Sequence, residues 1–129
     1  MSGAKRRSIN IPGFKHVNPI PNASMIDGLL MSGVILGVDA GTGKLPPDIG
    51  EQCANMFAHV QSILVEAGCT LDDVIKMTVW LKDPSDRVAL NEVWTRLFPD
   101  PASRPARHAL PHLGGGDALI LCDVVAVRR

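Results

Sequence analysis

The stretch Ala118–Val127, ALILCDVVAV, is apolar at both alternating registers except at Asp123. Successive side chains of a strand point to opposite faces, so such a strand needs cover on both sides. The chain has 129 residues, enough for one domain with a modest core. It offers two helical patterns, and helices on one side leave the other face open. The second cover is expected to come from another subunit.

Met25–Leu36, MIDGLLMSGVIL, reads as two short strands with Asp27–Gly28 as the turn. From Ile49 to Ala67, apolar residues recur at threes and fours, which predicts a helix. Asp48 is its N-cap, with Glu51 at capping-box spacing, and Gly68 is its C′ residue. In IKMTVWL, Ile75, Met77, Val79 and Leu81 alternate with Lys76, Thr78 and Trp80, giving a strand with one apolar face. Asp83, Pro84 and Asp86 announce a second helix. Its apolar positions are Val88, Leu90, Val93, Trp94 and Leu97. Strands at about Ala106–Leu110 and Ala118–Val127 follow, read as a closing hairpin with Gly114–Gly116 in the turn. The order β-β-β-α-β-α-β-β predicts an α+β sandwich, a mixed sheet with two helices on one face. Residues 1–10, with the basic run Lys5, Arg6, Arg7, are expected to be a flexible leader, and 11–129 one domain.

Formal net charge is zero, so bulk charge gives no reason to expect a polyanion or an anionic membrane as partner. Cys53, Cys69 and Cys122 are odd in number and far apart, which suggests a reducing compartment and not a disulfide scaffold. No apolar run is long enough to span a bilayer. A soluble, cytoplasmic protein is the expectation.

GVDAGTGKLP resembles a phosphate loop but lacks its first glycine and its hydroxyl after Lys44, so it is read as a turn. His108 and His112 would share a strand face about 13 Å apart, too far to hold one metal without a turn at Pro111. No metal or cofactor is expected. Arg107 is the sharper candidate. Pro105 holds the chain extended before it, and a guanidinium at a fixed strand edge suits bidentate grip of a carboxylate. The plain alternative is a salt bridge to Asp123 or to a neighbouring chain.

The ordered series MSGVIL, DAGTGKLPPDIGEQCANMFAHVQSILVEAGCTLDDVIKMTVWLKD, LNEVW, RPAR and DVVAVRR resembles the YjgF/RidA family, the reactive-intermediate deaminases once described as L-PSP endoribonucleases or translation inhibitors. The resemblance covers nearly the whole chain, from about Asn18 onward. It implies a chorismate-mutase-like (bacillus-type) subunit, and a homotrimer whose sheets form a central barrel with clefts between subunits. It also implies that Arg107 binds the carboxylate of a 2-imino or 2-enamino acid and that the backbone at Ala109 helps place substrate and water. Gly33 and Asn91 match further motif positions.

Two departures bear on turnover. Ile20 stands where active members usually carry a tyrosine, and Leu121 where they carry the glutamate that orients the hydrolytic water. Leu121 can neither accept a proton nor hydrogen-bond water. Asp123 lies on the Leu121 face about 6.6 Å along the strand, and His108 carries an imidazole, a general acid–base group, but points away from Arg107. Three functions follow as hypotheses. One is an imine/enamine deaminase using Arg107, Ala109 and Asp123 or His108, in a pocket made apolar by Ile20 and Leu121. Another is a carboxylate-binding or regulatory trimer without turnover. The third is the ribonuclease of the older family name, which neutral charge argues against.

Overall fold

The computed structural model describes residues 5–129. Seven strands form one sheet: β1 (Arg7–Ile9), β2 (Ala23–Ile26), β3 (Leu29–Ser32), β4 (Ile35–Leu36), β5 (Val74–Leu81), β6 (Ala106–Pro111) and β7 (Ile120–Val127). Two helices, α1 (Ile49–Glu66) and α2 (Arg87–Leu97), pack on it. The order across the sheet is β1-β2-β3-β7-β5-β6, with β4 also pairing β7. β5 and β6 run parallel and the other pairs antiparallel, so the sheet is mixed, as expected. Among the described residues, no helix is long and apolar enough to cross a membrane.

Local chemistry explains the helix ends. The Asp48 carboxylate accepts from the Glu51 N–H at 3.0 Å, satisfying one of the free donors of the first turn of α1. Gly68 ends the helix at φ +76°, a conformation that a Cβ disfavours. Asp83 accepts from the Ser85 N–H and opens a single 3-10 turn, Pro84–Asp86, that leads into α2.

The core lies between helices and sheet. Cys53, Met56, Val60 and Ile63 of α1 are fully buried against Leu30, Met77, Val79 and the Ile120, Cys122, Val124, Ala126 face of β7. Each large side chain removed from water contributes about 1.5–3 kcal/mol. Three polar side chains are buried with them, Asn22, Gln52 and His59. Gln52 donates from Nε2 to the Pro46 and Asp117 carbonyls and accepts at Oε1 from the Leu119 N–H. This clasp fixes the chain entering β7 against the start of α1. Gly37 passes so close to α1 that a Cβ there would overlap the Gln52 carbonyl.

The structure corrects several expectations. Arg7–Ile9 of the expected leader forms β1, paired with Ala23–Met25, because Ile9 is buried in the core. Residues 1–4 lie outside the described residues. Met25–Leu36 carries a third strand piece, β4, beyond the two expected. A register shift between Val74 and Lys76 turns Ile75 out of the apolar face, leaving it 54% exposed. Val88 also faces solvent. Finally, β6 and β7 are not a hairpin: β5 lies between them, and the glycine-rich segment carries the chain across it. The parallel β5–β6 pair places β6 at the free edge.

Candidate functional site

β6 alternates its side chains between the two faces of the sheet. Arg107 and Ala109 pair in register with Met77 and Val79, whose side chains belong to the core, so they point to the helix side. There the Arg107 guanidinium meets α2. Its Nη2 donates to Asn91 Oδ1 at 2.9 Å, and its Cζ lies 4.8 Å from the centre of the Trp94 ring. A cation over an indole face is stabilised by about 0.5–2 kcal/mol, more as water is excluded. Arg107 Nη1 is buried without a hydrogen-bond partner. Burial and the nearby positive charge of Arg87 lower its pKa from the usual arginine value. Among the described residues no carboxylate lies within salt-bridge reach of it; the one ion pair is Arg129–Asp73. A held, charged fork with an unused donor is suited to a carboxylate.

Arg104 has a different task. Its Nε donates to the Phe98 carbonyl at 2.8 Å, tying the chain after α2 to the helix end. That contact stabilises the C-terminal carbonyls of α2 and fixes the approach to β6.

His108, Leu121 and Asp123 occupy the opposite face. The β5 residue Thr78 pairs with both Asp123 and His108, forming a polar row across three strands. Beside it runs an apolar row in register: Leu36, Leu121, Trp80 and Leu110. Leu121 is 9% exposed although it lies outside the main core. Burial pushes the Asp123 carboxyl up from its ordinary value, partly offset by hydrogen bonds from Thr78 and by Lys76. Leu29, Met31 and Leu110 on this side are each more than two-fifths exposed. The doubly apolar β7 is thus covered by helices on one face only.

The expected site residues therefore fall into separate groups within one chain. Arg107, Asn91 and Ala109 come together. Leu121, Asp123 and His108 lie through the sheet from them, which excludes an Arg107–Asp123 salt bridge in the same chain. Gly33 follows β3, three strand spacings or about 14 Å from β6. It is placed by Ser32, whose Oγ accepts from the Val124 N–H and donates to the Gly33 carbonyl. Ile20 is in the loop before β2, half exposed. Trp94 and Arg87 are site neighbours that the sequence alone does not mark. Their signal is the spacing Arg87, Asn91, Trp94, which puts all three on one side of α2, but only the docking of β6 shows what they face.

Two concavities lie near the C-terminal ends of the helices. One, of about 390 Å³, is lined by Leu64, Cys69, Leu71 and Leu97; another, of about 460 Å³, by Asp72, Pro99 and Arg129. Neither includes an expected site residue. Arg107 lies instead on β6, at the edge of the sheet.

Fold and edge together define a class: a small α+β protein that presents a held arginine on the edge strand of its sheet. A family model described as Endoribonuclease L-PSP matches residues 19–112. A RutC family protein of Pyrococcus abyssi is 35% identical over 97 residues, covering 74% of this chain and 75% of that one. The crystal structure of Escherichia coli TdcF with bound serine superposes with TM-score 0.86 at 25% identity, over 95% of this chain and 99% of that one. TdcF, 37% identical over 67 residues (51% of this chain and 52% of that one), carries a provisional name as a reactive intermediate deaminase. The YjgF gene product of Escherichia coli shares the fold, with TM-score 0.85 at 24% identity over 95% and 99% of the two chains. The chain belongs to the Endoribonuclease L-PSP family, the YjgF/RidA proteins.

Proposed function

We propose that this protein hydrolyses 2-imino or 2-enamino acids, releasing ammonia, in clefts between the subunits of a cytoplasmic homotrimer. The observation that carries the reading is Arg107: a guanidinium held by Asn91 and Trp94, with a buried donor unused and no carboxylate beside it. It grips the substrate carboxylate and so fixes the imine carbon nearby. The family's deaminase names and the serine in TdcF support a small carboxylate ligand.

The reaction needs one water. Its oxygen adds to the imine carbon as the nitrogen takes up a proton. The resulting carbinolamine then loses its C–N bond, the carbonyl forms, and ammonia leaves. The Ala109 backbone, two residues along β6 on the Arg107 side, is available to hold substrate or water. Proton handling falls to Asp123 or His108 of the neighbouring subunit, since these lie on the opposite face of their own sheet. The exposed Leu29, Met31 and Leu110 side supports burial against further copies, with the sheets meeting as a central barrel.

Leu121 favours a second reading, ligand binding without turnover. Its side chain is buried and apolar where active relatives place a water-orienting glutamate. Ammonia release from freshly generated 2-iminopropionate separates the two. Wild-type activity above the uncatalysed rate supports the deaminase. Activity only in Leu121→Glu supports the binding protein. Ribonuclease activity gains nothing from a surface of zero formal net charge.

A further inference from the structure

Arg107 is not the only guanidinium on its side of the sheet. Arg87 opens α2, and Asn91 and Trp94 follow it at four and seven residues, all on one helical face. Asn91 and Trp94 are the two groups that hold Arg107. Arg87 therefore stands one turn from the side chain that grips Arg107, about 6 Å away between Cβ atoms. The electrostatic influence of Arg87 on Arg107 agrees with that placement.

Two like charges held this close repel each other, and nothing nearby answers them. Among the described residues neither arginine has a carboxylate within salt-bridge distance. The closest acids by sequence are otherwise disposed. Asp83 spends one oxygen on the Ser85 backbone and hydroxyl, and Asp86 sits back at the start of the helix. Glu92 follows Asn91 by one residue and is turned about 100° from the stripe. Arg87 itself is exposed, so its guanidinium is free to swing toward a ligand.

The geometry points to Arg87 as a specificity-determining residue that binds a second acidic group, so that the preferred substrate is a 2-imino dicarboxylic acid. This rests on the deaminase reading for its turnover but not for its binding. Arg107 takes the carboxylate next to the imine carbon. Arg87 takes a side-chain carboxylate two or three carbons further on. Bound together, the two anions remove the repulsion between the arginines, which a monocarboxylate does only in part. The class of reaction that supplies such a substrate is the oxidation of an acidic amino acid at its α-carbon.

The test compares two imines made in situ by amino acid oxidation, one from glutamate and one from 2-aminobutyrate. Binding of 2-oxoglutarate and 2-oxobutyrate is measured calorimetrically beside them. In wild type the dicarboxylic member of each pair is favoured, in kcat/KM and in Kd, by about tenfold or more. Arg87→Ala collapses that ratio toward one, and Arg87→Lys restores part of it. Because the readout is a ratio within one protein, a general loss of folding does not mimic it. Equal handling of the two imines by wild type, or a preference that survives Arg87→Ala, overturns the inference while leaving the deaminase standing. An Arg87-dependent preference for 2-oxoglutarate without turnover of either imine upholds the inference and overturns the deaminase.

Discussion

Arg107 and Asp123 stand on opposite faces of one sheet, separated by β5. Arg107 pairs in register with Met77 and points to α2, while Asp123 pairs with Thr78 and points to the uncovered side. No side-chain motion within one strand carries either residue through the sheet. A site that uses both takes them from different chains.

Assembly and turnover are therefore expected to fail together. Leu110 is 42% exposed on the uncovered face of the edge strand, next to Trp80 in register. A charge there places an unpaired carboxylate in the proposed interface, at a cost of several kcal/mol. Leu110→Asp is expected to run as a monomer in analytical ultracentrifugation and to lose ammonia release, with its circular dichroism unchanged. A monomer with wild-type turnover would remove the two-chain cleft from the account.

Gln52 sets the stability of the segment entering β7. It satisfies three backbone groups at once, the carbonyls of Pro46 and Asp117 and the N–H of Leu119. Gln52→Leu fills similar volume but strands those groups. Each buried unsatisfied partner costs about 1–3 kcal/mol. With three groups stranded, the expected loss is at least about 3 kcal/mol in urea unfolding, with hydrogen exchange accelerated first at Leu119.

Asp123 introduces a pH dependence of known sign. Burial holds its folded pKa above the unfolded value. The folded state then binds its proton more readily, so this group lowers stability at neutral pH and the penalty fades as pH falls through the folded pKa. Asp123→Asn is expected to raise the urea midpoint most near neutrality, with the two proteins converging as pH falls below the unfolded carboxyl value of about 3.9. A difference that grows on acidification would reverse the assignment.

Much of this was legible in the chain. Asp48, Glu51 and Gly68 bound α1 because caps act within a few residues. The period of β7 called for cover on both faces because side-chain alternation is local too. What could not be read depends on long-range pairing. The strand at Arg7–Ile9 exists because Ala23–Met25 lies beside it. Ile75 turns outward because β7 pairs with a bulged β5. The last two strands read as a hairpin because nothing in their sequences announces the intervening β5. Arg107 was visible from the proline before it, whereas its partner Trp94 looked like any apolar position of α2 until β6 docked on it.

The most direct test of the central claim is the rate of ammonia release from freshly generated 2-iminopropionate by wild type, Arg107→Ala and Arg107→Lys. Losing one charge-assisted carboxylate contact amounts to about 1.5–3 kcal/mol, roughly a tenfold to hundredfold loss in kcat/KM. The account predicts that loss in Arg107→Ala and only partial recovery in Arg107→Lys, because an ammonium cannot reproduce the fork. Wild-type turnover in a folded Arg107→Ala protein would contradict it.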